Sequence, residues 1–374
     1  MDEINRKSRK SYNTSGNPIK LPSKILAVAA EPTNNGAVYV AESAGTIKRV
    51  ALDVAKVTNT YRGPSAPVTS ICFGPEATIY AGCWDKSIWR WPTEQSRSAG
   101  EHYKAHVDFV KCLLSTRVGQ RHLIISGGAE GDIIIWDSRS TKLHTIRGQS
   151  RAIQDLVLDP LSDPANPVIF VATSEREILH FTLSSSEPLN FNGIALSEPI
   201  IAHETSVYKL LFDPDGDLWT ASADKTAKHL VREDGWKADT TIEHPDFVRD
   251  IVVHERGGWV ITACRDEEVR VWNSATGDLH HTFSGHFEEV TGLCLLEDLV
   301  ISVSIDATVR QWSLKPADLA TAREEAANPK TIEEAEKVKA NPDASLTEEE
   351  ERELRELMEN EERELQDLMA EDLQ

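Results

Sequence analysis

An all-β fold, a seven-bladed β-propeller followed by a helical acidic tail, is predicted by three observations. The first is a recurring phrase: small residues, an acid or turn residue, then an apolar run closing on an aromatic. Its clearest copies are Tyr80–Trp91, Ile125–Asp137, Ile261–Asn273 and Ile301–Trp312. In these the acid stands six places before the aromatic: Asp85 and Trp91, Glu130 and Trp136, Asp266 and Trp272, Asp306 and Trp312. Weaker copies keep the spacing at Ala44 and Val50, Glu175 and Phe181, Asp224 and Leu230. The second observation is the period. Successive anchors are 41, 45, 45, 49, 42 and 40 residues apart, the length of a unit of four short strands. The third is a break in composition after Pro316, where the repeats stop and Ala, Glu and Lys take over.

The elements follow in chain order. Residues 1–16 are polar and basic and read as a flexible segment, residues 17–314 as the propeller, and residues 315–374 as an acidic, partly helical tail. Residues 245–286 show how one unit is built. Phe247–Val253 loosely alternates apolar and polar residues, as a half-buried strand does. Glu255-Arg256-Gly257-Gly258 turns the chain. Trp259–Cys264 is a continuous apolar run, expected of a strand covered on both faces. A turn at Arg265–Glu267, an alternating run Glu268–Asn273, a turn at Ser274–Gly277 and an outer strand Leu279–Phe283 complete the unit. The last unit has Val290–Leu296, Leu299–Ser304 and Thr308–Ser313 but no fourth strand of its own. The apolar stretch Asn17–Leu21 ahead of the first unit has no other evident use.

Composition narrows the function classes. The 374 residues carry a net charge of −21. Residues 315–374 hold 20 acids against 8 bases, and residues 1–314 hold 41 against 32. Such a balance argues against sequence-independent nucleic-acid binding, which needs a basic face to neutralise phosphates. The five cysteines, Cys72, Cys83, Cys112, Cys264 and Cys294, form no CxxC pair and sit in apolar runs, so they read as buried, reduced thiols. No apolar run approaches the roughly 18–20 residues that span a bilayer, and Met1–Lys10 lacks the apolar core of a secretory signal. The expected location is the cytoplasm, the nucleus or both. The cluster Arg6-Lys7-Ser8-Arg9-Lys10 fits a nuclear import signal.

The repeats resemble the WD-repeat family. Its units carry a His before the first strand, Ser or Thr in the second, Asp in the next turn and Trp in the third. His286, Ser302, Asp306 and Trp312 match all four, as do His244, Thr262, Asp266 and Trp272. In the third unit His106, Ser126 and Trp136 match, with Glu130 in place of Asp. The first, fourth and fifth units depart, through Ala44, through Glu175 with Gln149, and through Leu230 in place of Trp. The resemblance implies that these residues form a hydrogen-bonded chain inside each blade, and that the departing blades lean on apolar packing. It also implies that residues around 17–22 supply the last blade's outer strand and so remove the open edges of the ring. A Ser, a His and an Asp then belong to a structural network and not to a catalytic triad. The sequence has no GxSxG elbow, no phosphate-cradling glycine loop and no HExxH pair. We therefore expect no enzyme activity, no catalytic residue, no cofactor and no metal.

The same resemblance points to surfaces. Trp84, Ala129, Ser174, Ala223, Arg265 and Ile305 should share the rim of the narrow face, with Phe109, Arg151, Phe247 and Phe287 on nearby loops. Exposed aromatics and arginines are enriched at protein interfaces, so Trp84, Phe109, Arg151, Phe247, Arg265 and Phe287 are the candidate protein-binding residues. Residues 124–139 resemble the box by which WD-repeat substrate receptors engage cullin-4 ubiquitin ligases. Trp136, Asp137 and Arg139 match its ending, and Arg139 would contact the adaptor.

In the tail, Ser345-Leu346-Thr347-Glu348 reads as a capping box opening a helix from about 346 to 370. An eleven-residue near-repeat places Leu354, Leu357 and Met358 on one stripe with Leu365, Leu368 and Met369. Such a helix is marginal alone in water and suits a groove on a partner. Its acidity favours a basic protein. The expected function is a non-catalytic protein–protein scaffold. The alternatives are a cullin-4 substrate receptor and an assembly factor for a basic client in ribosome or chromatin assembly. Neither membrane nor direct nucleic-acid binding is expected.

Overall fold

The computed structural model describes residues 13–327 apart from 34, 95–98, 149–151 and 185–193. Seven four-stranded antiparallel sheets are present, and we number them as blades in chain order. Blade 1 holds Ile25–Ala30, Ala37–Glu42, Ile47–Ala51 and Lys56–Tyr61. Blade 2 holds Val68–Phe73, Ile79–Cys83, Ser87–Trp91 and Glu101–Lys104. Blade 3 is Val110–Val118, Arg121–Gly128, Ile133–Asp137 and Lys142–Ile146. Blade 4 is Ile153–Leu158, Val168–Thr173, Glu177–Thr182 and the two-residue strand Ile200–Ile201. Blade 5 contains Val207–Phe212, Leu218–Ser222, Thr226–Val231 and Lys237–Glu243. Blade 6 contains Val248–His254, Trp259–Cys264, Glu268–Asn273 and Leu279–Ser284.

Blade 7 takes Val290–Leu296, Leu299–Ser304 and Thr308–Ser313, and its fourth strand is Ile19–Lys20 from the far end of the chain. This is the closure that the resemblance implies. Ile19 pairs with Val309 and Lys20 with Thr308. The Leu21 amide donates to the Ala307 carbonyl at 2.8 Å, and the Gln311 amide to Gly16 at 2.7 Å. Arg310, 1% exposed, donates to the carbonyls of Asn13 and Ser15. Gly16 has φ +70°, and a Cβ there would lie 2.8 Å from the Trp312 ring. Only glycine fits so close an approach in the left-handed region.

Burial follows strand position. Every residue of Ala37–Glu42, Ile79–Cys83 and Leu218–Ser222 is buried, because second strands lie between neighbouring blades. Outer strands such as Lys237–Glu243 are mostly exposed. The core is the set of blade-to-blade contacts. Ile125, Ile133 and Ile135 of blade 3 pack on Ile153, Ile169 and Val171 of blade 4. Ile19, Leu21, Ile301 and Val309 of blade 7 pack on Ile25 and Val38 of blade 1. Each fully buried branched side chain contributes about 1.5–3 kcal/mol.

All seven first strands bulge at one position. Register shifts fall between Ile25 and Ala27, Val68 and Ser70, Val110 and Cys112, Ile153 and Asp155, Val207 and Lys209, Val248 and Asp250, and Val290 and Gly292. A bulge re-aims the extra residue and bends the strand. Two of the extra residues bond to the next blade: Thr69 Oγ1 donates to Val110 at 2.8 Å, and Thr291 Oγ1 to Ile25 at 2.9 Å.

The chain divides by contacts after Pro316. A helix, α1, covers Pro316–Ala327 and opens on proline, whose missing N–H costs nothing in a first turn. No helix among the described residues is long and apolar enough to cross a membrane. The expected tail helix with its stripe of Leu354, Leu357, Met358, Leu365, Leu368 and Met369 lies outside the described residues, as do Arg6–Lys10, Gln149 and Arg151. The five cysteines are free, all but Cys72 buried. Burial pushes the thiols of Cys72, Cys83, Cys264 and Cys294 up to about 12, so they are inert neutral groups at neutral pH.

Candidate protein-binding site and the networks beneath it

One hydrogen bond repeats in every blade and gathers the same turn at one end of the ring. The residue that follows each second strand donates its amide to a carbonyl ahead of the same blade's first strand. The donors are Ser43, Trp84, Ala129, Ser174, Ala223, Arg265 and Ile305, at 2.8–3.2 Å. The rim residues inferred from sequence therefore share one end of the ring. Trp84 stacks on Phe109 with centroids 4.9 Å apart and planes 13° from parallel. Their exposures are 40% and 38%, and Val107 beside them is 75% exposed. Arg265 is exposed and lies over Phe247 at 5.1 Å. Phe247 is half-buried against Tyr208 at 6.5 Å. Phe287 is also half-buried, and its amide donates to Asp306 at 3.2 Å.

The structure thus forms two aromatic groups, Trp84 with Phe109 and Phe247 with Arg265, and does not bring them together into one. Sequence reading missed Val107, Tyr208 and Arg249. Arg249 lies over Tyr208 at 4.3 Å and pairs with Glu289 at 2.7 Å. The signal for Tyr208 and Arg249 is positional, since both are extra residues of the first-strand bulges.

Beneath the rim lie the internal chains. In blade 7, His286 Nδ1 meets Asp306 at 2.9 Å and Nε2 meets Ser302 Oγ at 2.7 Å, while Trp312 Nε1 donates to that Oγ at 2.8 Å. Blade 3 repeats this with Glu130. His106 meets Glu130 at 2.6 Å and Ser126 at 2.7 Å, and Trp136 donates to Ser126 at 2.9 Å.

One implied network is corrected, and another breaks where the resemblance places the break. In blade 6, His244 meets Thr262 at 2.8 Å and Trp272 donates to Thr262 at 2.8 Å. Asp266, however, is held by Arg270 at 2.6 and 3.0 Å, and His244 Nδ1 has no partner. A guanidinium four residues on offers a bidentate, charge-assisted contact that a neutral imidazole cannot match. Burial, then Arg270, pushes His244 down to about 4. In blade 5 the chain breaks at Leu230, which has no indole N–H to donate. It is intact up to that point: His203 meets Asp224 at 2.8 Å and Thr220 at 2.7 Å. Only the indole donor is missing there. Blades 1 and 2 use other pairs, Lys48 with Glu42 at 2.9 Å and Trp89 Nε1 with Asp85 at 2.8 Å.

These sets have triad composition but not triad access. Ser126, Ser302, Thr220 and Thr262 are 0% exposed, and all but Thr220 also accept an indole N–H. A nucleophile must meet a substrate carbonyl, and these hydroxyls face packed side chains.

A second set of polar contacts joins the first strands of neighbouring blades. Lys209 pairs with Asp155 at 3.2 Å, and Asp155 and Asp250 outweigh burial to hold its ammonium well above the usual lysine range. Asp155 accepts the Leu210 amide at 3.1 Å and Asp250 the Leu293 amide at 2.7 Å. Each acid thereby stitches its blade to the next.

Trp136, Asp137 and Arg139 stand at the opposite end of blade 3. Trp136 is buried in the network above. Asp137 accepts the Arg139 and Thr141 amides at 2.9 and 2.7 Å. The Arg139 side chain is exposed at the edge of a cleft of about 440 Å³ with Tyr80, Arg90, Glu101 and Ser138. Arg90 is paired with Glu101; Arg139 has no acid partner among the described residues.

Asp213, Asp217 and His229 converge in blade 5 with ligand atoms within 4.8 Å of one another. His229 meets Asp239 at 2.8 Å and Asp213 at 3.1 Å. Burial lowers its pKa, but Asp239 and Asp213 outweigh burial and raise it. Both ring nitrogens are thus committed to carboxylates.

Comparison with known proteins gives the family. The profile described as "WD domain, G-beta repeat" matches residues 55–91, 196–229, 236–273 and 277–313. An uncharacterized WD repeat-containing protein of Schizosaccharomyces pombe is 33% identical over 376 residues, covering 96% of this chain and 95% of that protein. The tRNA (guanine-N(7)-)-methyltransferase non-catalytic subunit wuho of Drosophila grimshawi is 43% identical over 163 residues, 43% of this chain and 41% of that protein. Its Drosophila mojavensis counterpart is 45% identical over 74 residues, 19% of each chain. The wuho matches therefore span less than half of those proteins. The full-length likeness, the profile matches and the seven closed blades together place this chain in the WD-repeat family.

Proposed function

We propose that this protein is a non-catalytic scaffold that holds a protein partner against the narrow face of its propeller. The observation that carries this reading is the exposed Trp84–Phe109 stack on a ring whose Ser126, Thr220, Thr262 and Ser302 hydroxyls are buried in internal networks. Large aromatics left in water on a packed ring cost solvation and are recovered by a partner. The likeness to wuho, a non-catalytic methyltransferase subunit by name, supports a finer form: the partner is the catalytic subunit of a tRNA-modifying enzyme. Co-purification of the tagged full chain tests both forms. A stable complex with a methyltransferase supports the finer one, a stable complex with other proteins supports the scaffold alone, and recovery of a monomer refutes both.

The exposed Arg139 guanidinium favours a second reading, contact with the adaptor of a cullin-4 ligase. Arg139→Ala, with melting unchanged, would abolish recovery of that adaptor; its absence from the wild-type complex refutes this reading.

A further inference from the structure

One set of positions recurs around the ring and is filled differently in blade 5. It joins the third-strand residue just ahead of the aromatic position, the residue that follows the first strand, and the extra residue of the fourth-strand bulge. In blade 1 these are Arg49, Glu31 and Thr58. Arg49 donates to Glu31 at 2.7 and 2.8 Å and to Thr58 at 2.9 Å, so one fixed cation meets one acid. In blade 4 the first two are His180 and Asp159, and Arg232 takes Asp159 at 2.7 and 2.9 Å. In blade 5 the three are His229, Asp213 and Asp239. The residue whose carbonyl receives the acid's amide is Ala37 in blade 1 and a further acid, Asp217, in blade 5. Three carboxylates therefore surround one imidazole, which even when protonated offsets one of them. No Lys or Arg side chain pairs with these acids among the described residues. The nearby Arg232 guanidinium is held by Asp159 and by the Gly216 carbonyl at 2.9 Å.

Each of three side chains turns one atom to a common point and has the other tied behind it. Asp213 Oδ1 accepts the Asp217 amide at 2.9 Å, and its Oδ2 lies 3.1 Å from His229 Nε2. Asp217 Oδ1 accepts the Arg232 amide at 2.7 Å, and its Oδ2 lies 4.0 Å from the same nitrogen. His229 Nδ1 donates to Asp239 at 2.8 Å, and Trp219 packs on the ring at 4.7 Å. The Asp213 and Asp217 side chains are only 13% and 21% exposed, so water screens their charges in part. A four-coordinate zinc ion with bonds of about 2.0–2.2 Å sets its ligand atoms about 3.4 Å apart, between the two distances observed. An imidazole whose second nitrogen donates to a carboxylate is the usual setting of a metal-bound histidine.

We propose that Asp213, Asp217 and His229 bind a single first-row divalent metal ion, with Asp239 as the positioning residue that fixes the imidazole. The expectation of no metal from the sequence is thereby set aside for this one place. Two carboxylates and one nitrogen suit zinc, whereas calcium and magnesium favour oxygen ligands alone. The ion takes the place of the proton between His229 Nε2 and Asp213, so binding releases that proton to solvent. Three ligands come from the chain, and a fourth position stays open to water. The site is independent of the scaffold reading, since the Asp213–Asp217 turn lies at the opposite end of blade 5 from Ala223.

The test titrates zinc chloride by calorimetry into the full, chelator-treated chain carrying no histidine tag. His229→Arg copies the blade 1 arrangement and should weaken zinc binding at least a hundredfold, at an unchanged or higher melting temperature. Asp213→Asn should weaken it at least tenfold, and Asp239→Asn roughly 10–100-fold. Saturating zinc should raise the melting temperature of the wild type and leave that of His229→Arg where it was. Equal zinc affinity in the wild type and His229→Arg would put the ion elsewhere and overturn the inference. So would tighter binding of calcium than of zinc, or no zinc uptake by the wild type. If His229→Arg does not fold, Asp239→Asn, at a side chain 51% exposed, decides by the same comparison.

Discussion

Acidification should weaken blade 6 through one side chain, His244. The ring is buried, its Nδ1 is unpartnered, and its ordinary acid, Asp266, is held by Arg270. Burial first, and Arg270 second, bring its pKa from the ordinary 6.5 to about 4. Between those values the unfolded chain binds more protons than the folded one, so stability falls as pH falls. The contribution is complete above pH 6.5. Lowering the pH from 7 to 5 removes about 2 kcal/mol through this residue. His106 and His286 are also lowered by burial and act in the same direction, while His229 is raised and acts oppositely. A variant is therefore needed to isolate the term. His244→Gln keeps a donor for Thr262 and removes the titration; at pH 7 it should cost about 1–3 kcal/mol for an imperfect buried hydrogen bond. Urea unfolding of both proteins at pH 7 and pH 5 gives four free energies. The wild type should lose about 2 kcal/mol more than the variant over that interval. Equal losses would refute the assignment, because they would mean that His244 takes up its proton in the folded state as readily as in the unfolded one.

Other perturbations follow from the same geometry. Trp272→Ala removes a buried indole and its bond to Thr262 and should cost about 3–5 kcal/mol in chemical unfolding. Gly16→Ala forces a left-handed residue against Trp312 and should cost at least about 2 kcal/mol, with faster hydrogen exchange at Val309. Asp250→Ala strips the Leu293 amide of its acceptor and should cost about 1–3 kcal/mol, read as a lower melting temperature. Trp84→Ala removes an exposed ring and should change stability by less than about 0.5 kcal/mol.

The blade count and the strand order within a blade were legible in the sequence because spacing and apolar runs are local signals, whereas the completing strand at Ile19–Lys20 came only from what the family resemblance implies. The networks were legible only where the partners were unopposed. Glu130 stands in for Asp in blade 3 since its longer arm still reaches His106. Blade 6 was misread because the sequence shows Asp266 and Arg270 four apart but not which group wins the carboxylate. Blade 5 ends its chain at Leu230, as the residue type implies, and keeps His203, Thr220 and Asp224 linked. The bulges and the Asp155 and Asp250 stitches left no local mark, since they join residues that meet only when blades stand side by side. For the candidate surface, sequence gave the ring positions of Trp84 and Phe109; their stacking depends on two loops from different blades.

The ring's closure also bears on how the chain is made. Ser15 and Arg310 lie 295 residues apart, so the N-terminal strand emerges from the ribosome long before its partner exists. Joining ends that far apart carries a loop-closure cost of about 5 kcal/mol, unless the blades between them fold first and bring the ends together. Blades 1 to 6 can assemble in order as they are synthesised, each against its predecessor. Ile19 and Leu21 must wait, apolar and unpaired, until Thr308–Ser313 arrives. Through that interval the nascent protein is an open arc with an exposed strand edge at each end, the form that pairs with other chains. A message cut short before Thr308–Ser313 would leave that arc as its product, and cells should hold or degrade it in place of accumulating a six-bladed protein.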